Sequence, residues 1–233
     1  MFEIVYSPAW FYGKDLVIDA VGIIILFLIG FFSLKYYKIN PAKKTYLWLA
    51  LSFFMISLSF LFKILTNFRI YYDVDITRNI AGMVYSYDLV RYTDILFYIG
   101  TLANRILMLL GLYALYSIYS EHSKSEAWFS AYLLVIVAVF THSNYYIFHI
   151  TSFILVMLIS LKYIQNYRKN KSQPARLLAA SFGIITISHL LFCFILMSQL
   201  LYVAAEIIQL IGFLLLLITF IRVLKDGKKK KPA

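Results

Sequence analysis

The sequence predicts an all-α polytopic membrane protein, a seven-transmembrane helix bundle whose N-terminus lies outside and whose C-terminus is cytoplasmic. Of the 233 residues, 62% are hydrophobic and 14% are charged, so polar side chains are too few to cover a water-soluble globule. Seven apolar segments have about the length that a helix needs to cross a bilayer. The loops between them alternate between lysine-rich and lysine-poor, which indicates an orientation.

The predicted spans follow one another with little sequence left between them. The fourth is shorter than the others and leaves a six-span count open, in which this helix is thin or partly interfacial. Tyr and Trp residues gather near the predicted span ends, as is typical of membrane interfaces. In order, the spans are 16–34, 46–66, 95–119, 127–141, 145–163, 175–197 and 200–224.

The basic residues indicate which loops face the cytoplasm. They follow the first, third, fifth and seventh spans, whereas the opposite loops hold few bases. Because cytoplasmic loops carry an excess of Lys and Arg, we expect a multi-pass protein of the cytoplasmic (plasma) membrane, with the lipid bilayer as its first partner. The same distribution argues against nucleic acid as the reason for the net charge of +11. The basic tail, 225–233, is a candidate site for anionic lipid.

The chain is predicted to form a single membrane domain, 1–233, with one long connection. The outer loop 67–94 is longer than helix connections in bundles usually are. Its aromatic and β-branched residues favour an ordered segment, and we expect it to cap the outer face.

A weak internal repeat is visible within this domain. Residues 49–61 align with 178–190, and 103–115 align with 204–216. The alignment defines repeat units 16–119 and 145–224 in the same orientation, joined by the fourth span, and predicts a pseudo-twofold axis along the membrane normal. This three-plus-one-plus-three plan is similar in architecture to small sugar carriers and opsin-like receptors. The alternative is a chance match, because Leu, Phe and Ser are common in membrane spans.

Two oppositely charged residues at membrane depth are the main candidates for a ligand site. Arg105 lies near the middle of the third span, and Glu206 lies closer to the outer end of the seventh. Such residues are costly in a bilayer unless they are paired or hydrated, so they mark functional sites. One hypothesis places Arg105 at the base of an outward-facing pocket with Glu206, Asn104, Gln209 and His189 as its walls. The alternative is a structural salt bridge between Arg105 and Glu206.

Other ionisable residues lie near the outer boundary. Asp19 and Lys63 are close enough to the interface to extend their charges toward water, or to form an outer ion pair. With Asp94 they are candidates for an outer vestibule. His142 and His149 share this boundary and are weak metal candidates, although interfacial hydrogen bonding accounts for them better. No cofactor or metal motif is present, and none is predicted.

The function predicted from these features is binding of a small polar or anionic ligand by a small transporter or facilitator. The first alternative is a receptor-like sensory or accessory subunit that signals to a partner protein, because the inner halves of the third and seventh spans are almost wholly apolar. The second alternative is an intramembrane enzyme, which the absence of a catalytic motif disfavours.

Overall fold

The computed structural model describes residues 7–79, 86–119, 123–141 and 145–229 of the chain. Within these ranges, the side chains of residues 9, 68–79, 86–94, 96, 124 and 224–229 are not described. The described residues form helices and turns without a β-strand, which confirms the all-α prediction.

In the described part of the chain, seven α-helices follow a short 3-10 turn, Ala9–Phe11. Each corresponds to one of the predicted spans. Their bounds are α1 Lys14–Ile39, α2 Thr45–Asn79, α3 Ser86–Ser117, α4 Lys124–Phe140, α5 Tyr145–Asn170, α6 Gln173–Cys193 and α7 Gln199–Lys229.

Six of these helices are long and apolar enough to cross a membrane. Helix α4 has 17 residues, which at about 1.5 Å per residue gives a length below the roughly 30 Å of a hydrocarbon core. Its side chains are nevertheless apolar and exposed, with Trp128 78% and Phe140 76% accessible. The fold is therefore that of a multi-pass integral membrane protein, and the crossing of α4 stays a prediction.

The segment expected to be the outer loop 67–94 is helical over most of its length. Helix α2 continues beyond its apolar part, Thr45–Asn67, to Asn79, and α3 begins at Ser86, well before its apolar part, Phe97–Ser117. The physical reason is that no Gly or Pro interrupts the chain between Thr45 and Ala81, so the helix does not end where hydrophobicity ends. The prediction that segment 67–94 caps the outer face concerns side chains that lie outside the described set.

Six helices close a ring. Helix α1 packs on α2, α2 on α3, α3 on α5, α5 on α6, α6 on α7, and α7 returns to α1. Helix α4 packs against α3 at the periphery. Across this ring α3 lies opposite α7, and α1 lies opposite α5.

Two glycines allow close helix approach at similar places in the ring. A methyl group added at Gly111 of α3 would lie 2.8 Å from Ile56 Cγ1 of α2. One added at Gly212 of α7 would lie 2.5 Å from Ile185 Cγ1 of α6. Small residues at such crossings let helix backbones approach closely in membrane proteins.

The middle of the ring is apolar. A cavity of about 20 Å³ lies there, lined by residues from all six ring helices, including Leu26, Phe53, Val156 and Phe182. Its volume would fit about one water molecule, but the lining offers no polar partner, so the cavity is expected to be dry. Apolar side chains such as Ile24, Phe27 and Ile211 face outward, as expected of a surface in contact with lipid.

Candidate functional site

The candidate site is centred on Lys63 of α2. Its Nζ lies 2.8 Å from Asp19 Oδ1 of α1 and 2.6 Å from Glu206 Oε1 of α7, forming two salt bridges. Asp19 is 1% and Glu206 0% accessible, whereas the Lys63 side chain retains 20%. The predicted Asp19–Lys63 ion pair is thus present, and Glu206 is its third member.

A second polar contact lies one helical turn toward the N-terminal end of the bundle, meaning the end at which α1 begins. The Tyr202 hydroxyl donates to Asp15 Oδ2 at 3.1 Å, and the Leu16 backbone N–H donates to Asp15 Oδ1 at 2.9 Å. Both Asp15 and Tyr202 are buried. We call Asp15, Asp19, Lys63, Tyr202 and Glu206 the Lys63 cluster.

Asp15 and Tyr202 were not predicted as site residues, although the sequence holds a signal for them. Asp15 precedes Asp19 by four residues, and Tyr202 precedes Glu206 by four. Residues with this spacing lie on the same face of a helix. Each of the two carboxylates at membrane depth therefore pointed to a second polar residue on its own helix.

Apolar side chains surround the Lys63 cluster. Toward the N-terminal end, Phe11 and Phe192 each pack edge-on against Tyr202. The Lys63 ammonium lies 5.5 Å from the Phe60 ring centroid and 5.9 Å from that of Phe192. In these surroundings every charge in the cluster depends on its polar neighbours, because water contributes little stabilisation.

Two buried histidines lie next to Phe192. His149 Nδ1 of α5 and His189 Nδ1 of α6 are 3.2 Å apart, so one ring donates to the other. The His149 ring centroid lies 4.6 Å from that of Phe192. His149 therefore has His189 as its described partner, whereas the other weak metal candidate, His142, falls outside the described residues. Among the described side chains, no group of three His, Cys, Asp or Glu residues could hold a metal ion.

The cation in the described salt bridge of Glu206 differs from the one that the sequence suggested, Arg105. The Glu206 salt bridge is made by Lys63, and the Arg105 guanidinium lies 5.7 Å from the Phe148 ring centroid on α5. The geometric reason is that α3 and α7 lie across the ring from one another, whereas the long Lys63 side chain on α2 reaches α7. Arg105 is buried at 6% accessibility, as predicted for a residue at membrane depth.

The remaining predicted residues are distributed around this layer. Asn104 donates to the Ser59 carbonyl oxygen of α2 at 2.7 Å and so links α3 to α2. Gln209 is buried one turn beyond Glu206. The side chain of Asp94 is outside the described set.

Among the side-chain oxygens and nitrogens of Asp19, Glu206 and His189, three have no hydrogen-bond partner among the described residues. They are Asp19 Oδ2, Glu206 Oε2 and His189 Nε2, and each is buried. A buried carboxylate oxygen without a donor costs roughly 1–3 kcal/mol or more, because the group has lost its hydration. The arrangement can therefore accept a proton or a donor group from a ligand.

Comparison with protein-family models, curated proteins and solved structures found no match to this chain.

Proposed function

We propose that the protein is a small membrane carrier that binds a polar solute at the Lys63 cluster. The observation that carries this proposal is that buried Asp19 and Glu206 pair with a largely buried Lys63 in a bundle whose central cavity is lined by apolar side chains. Ionisable groups inside a membrane protein are expensive to bury, and they typically mark substrate or ion pathways. Because the cluster holds three carboxylates and a single lysine, a polar solute with a hydrogen-bond donor fits better than an anion.

The proposed orientation puts the N-terminal end of the bundle outside the cell. The loop after α1 and the end of α5 are rich in Lys and Arg, and the positive-inside rule assigns such segments to the cytoplasm. The Lys63 cluster then lies in the outer half of the cytoplasmic membrane, where a solute from outside can reach it.

A duplicated architecture supports a carrier. Contacts that match in the aligned halves include Gly111 with Ile56 and Gly212 with Ile185. The buried faces of α1 and α5 also correspond with an offset of 130 residues, as in Leu26 and Val156 or Ile29 and Ile159. We propose that 16–119 and 145–224 are parallel repeats around a pseudo-twofold axis. In carriers of this kind, substrate sites lie at the interface between repeats, and access alternates as one repeat rocks against the other.

Rocking of the two units would have to open the apolar centre toward the cytoplasm. The residues that close it include Leu109, Leu115 and Leu216, each fully buried. The α1–α7 and α3–α5 contacts are the two interfaces between the units and are the surfaces along which they would separate.

Solute uptake by purified protein in sealed liposomes tests this proposal. A panel of labelled sugars, amino acids and amines is expected to include at least one solute that accumulates above protein-free liposomes. Glu206→Gln should lower that uptake at least tenfold, because it removes a charge of the cluster. Glu126→Gln, which changes an exposed carboxylate, is the matched control and should transport normally. If no solute enters, the carrier proposal fails.

The closed apolar centre also favours a second function, a receptor-like subunit whose ligand site is open to only one face of the membrane. A ligand of such a protein would raise the unfolding temperature without crossing the liposome membrane. Stabilisation by a member of the panel that shows no uptake would therefore replace the carrier with the receptor.

A further inference from the structure

We infer that Asp19, Lys63 and Glu206 together hold one exchangeable proton. The role of this proton in transport rests on the proposed function. The presence of the proton depends only on these three side chains. We call them the triad.

The charge of the triad is the first argument. One ammonium faces two carboxylates at 2.8 Å and 2.6 Å, so the fully ionised triad carries one excess negative charge in a buried place. Two carboxylates that share a site do not both stay ionised easily, because each raises the cost of the other's charge. One proton on the pair leaves a carboxylic acid, a carboxylate and an ammonium, whose charges sum to zero.

The hydrogen bonds give the second, independent argument. Lys63 contacts one oxygen of each carboxylate, and the other oxygens, Asp19 Oδ2 and Glu206 Oε2, are buried without a described partner. A proton on either of these oxygens replaces a buried, incompletely bonded carboxylate by a neutral acid, whose burial costs much less. The proton belongs to the pair as a unit, since two strongly interacting acids titrate together.

The neighbouring groups do not remove the need for this proton. On α1, Asp15 already accepts two hydrogen bonds, from Tyr202 and from the Leu16 backbone, and adds negative charge. On α6 and α5, His189 and His149 share one hydrogen bond with each other. On α3, Arg105 lies beside Phe148 of α5, across the ring from Glu206. Lys63 is the cation that bonds directly to both carboxylates.

Infrared spectroscopy of the protein in lipid nanodiscs tests the inference without any solute. At neutral pH the wild type should show the carbonyl stretch of a protonated carboxylic acid, shifted in heavy water and lost as the pH is raised. The Asp19→Asn/Glu206→Gln double variant should lack this band, because both acids have become amides. Glu126→Gln should retain it, since that carboxylate is exposed and a glutamine can still serve in the α4 capping box with Ser123.

Two results would overturn the inference. One is a wild-type spectrum without an acid band at neutral pH, and this measurement stands even if the double variant fails to fold. The other is loss of the band when sodium chloride replaces choline chloride at constant pH, which would make sodium the occupant. A proton band in a protein that transports no panel solute would refute the carrier and leave the proton site intact.

The liposome assay tests separately whether the proton held by the triad is coupled to solute transport. Uptake of a transported solute should increase several-fold when the outside is made acidic, and a protonophore should abolish the increase. If the protein shows the acid band but its uptake does not respond to the proton gradient, only the coupling of the proton to transport is refuted.

Discussion

The residue that holds the candidate site together is Lys63. Its ammonium lies 5.5 Å from the Phe60 ring centroid and 5.9 Å from that of Phe192, and it reaches carboxylates on two different helices. Each carboxylate therefore depends on the same cation for the stability of its charge. Breaking a buried ion pair costs more than the pair contributes, because the partner left behind is an uncompensated charge.

Replacing Lys63 should consequently destabilise the protein. Lys63→Met is expected to lower the free energy of unfolding by about 3 kcal/mol, since Asp19 and Glu206 would lose their common cation. Thermal or denaturant unfolding in nanodiscs measures this change. Lys35→Met, at an exposed lysine of α1, is the matched control and should stay within about 0.5 kcal/mol of wild type.

The rescue separates lost charge compensation from lost packing. In the triple variant Asp19→Asn/Lys63→Met/Glu206→Gln all three charges are gone, and most of the stability should return. If Lys63→Met alone is as stable as wild type, the ion pairing is contradicted. If the triple variant is as unstable as Lys63→Met, the lost stability comes from packing and not from charge.

The pairing itself was only partly predictable from sequence. Position along a span gives the depth of Asp19, Lys63 and Glu206, and depth makes an Asp19–Lys63 pair one of two possibilities, the other being that each charge extends toward water. It does not give the direction in which a side chain points or the order of helices in the ring. Arg105 and Lys63 were both cations within reach of Glu206 by depth, and the ring order decided between them.

At the scale of helices, close approach at two glycines shapes the bundle. A methyl group added at Gly111 of α3 would lie 2.8 Å from Ile56 Cγ1 and 3.1 Å from the Ser52 carbonyl oxygen of α2. One added at Gly212 of α7 would lie 2.5 Å from Ile185 Cγ1 and 3.3 Å from the Ser181 carbonyl oxygen of α6. Because the obstructing atoms include backbone, an added side chain cannot be absorbed by a rotamer change alone.

Alanine at either glycine should therefore push two helices apart. Gly111→Ala and Gly212→Ala are each expected to lower the free energy of unfolding by about 1–3 kcal/mol, the usual cost of overpacking. Gly183→Ala is the control within α6, where the nearest atom would be Ser160 Oγ at an ordinary 3.7 Å. Equal stability of all three variants in denaturant titrations would argue against close packing at these crossings.

Helix existence was predictable, whereas helix ends were not. Hydrophobicity marks where a helix enters or leaves lipid, and the seven apolar segments located all seven helices. It does not mark where the backbone stops being helical. Helices α2 and α3 extend beyond their apolar parts because neither extension contains a helix-breaking residue. The first such residue in this part of the sequence is Gly82, which lies between the two helices.

For the whole molecule, the ring explains how an apolar protein can place a polar layer at one depth. Lys63, Glu206, His149 and Arg105 come from four different helices, and each faces the interior because the adjacent turns of its helix carry core residues. The alignment of the two halves predicted the matching glycines. It did not by itself establish a repeat, because Leu and Phe are common in membrane spans and match by composition alone. Which face of the membrane this layer approaches depends on the orientation of the entire bundle.

Cysteine labelling of cells that produce the protein tests the orientation. In a Cys193→Ala background, Met197→Cys lies in the exposed turn between α6 and α7, and Ala42→Cys lies in the exposed turn between α1 and α2. A membrane-impermeant maleimide should label Met197→Cys in intact cells and Ala42→Cys only after lysis. The reason is that the α1–α2 turn is flanked by Lys38, Lys43 and Lys44, which the positive-inside rule retains in the cytoplasm.

The parent Cys193→Ala protein, without any cysteine, should stay unlabelled under both conditions. Labelling of Ala42→Cys alone in intact cells would invert the bundle and place the Lys63 cluster in the cytoplasmic half. The proton site would survive that inversion, because its charge balance depends on burial and not on the side of the membrane. The solute would then be expected to bind from the cytoplasm, and an acidic interior would replace an acidic exterior as the proton gradient that stimulates transport.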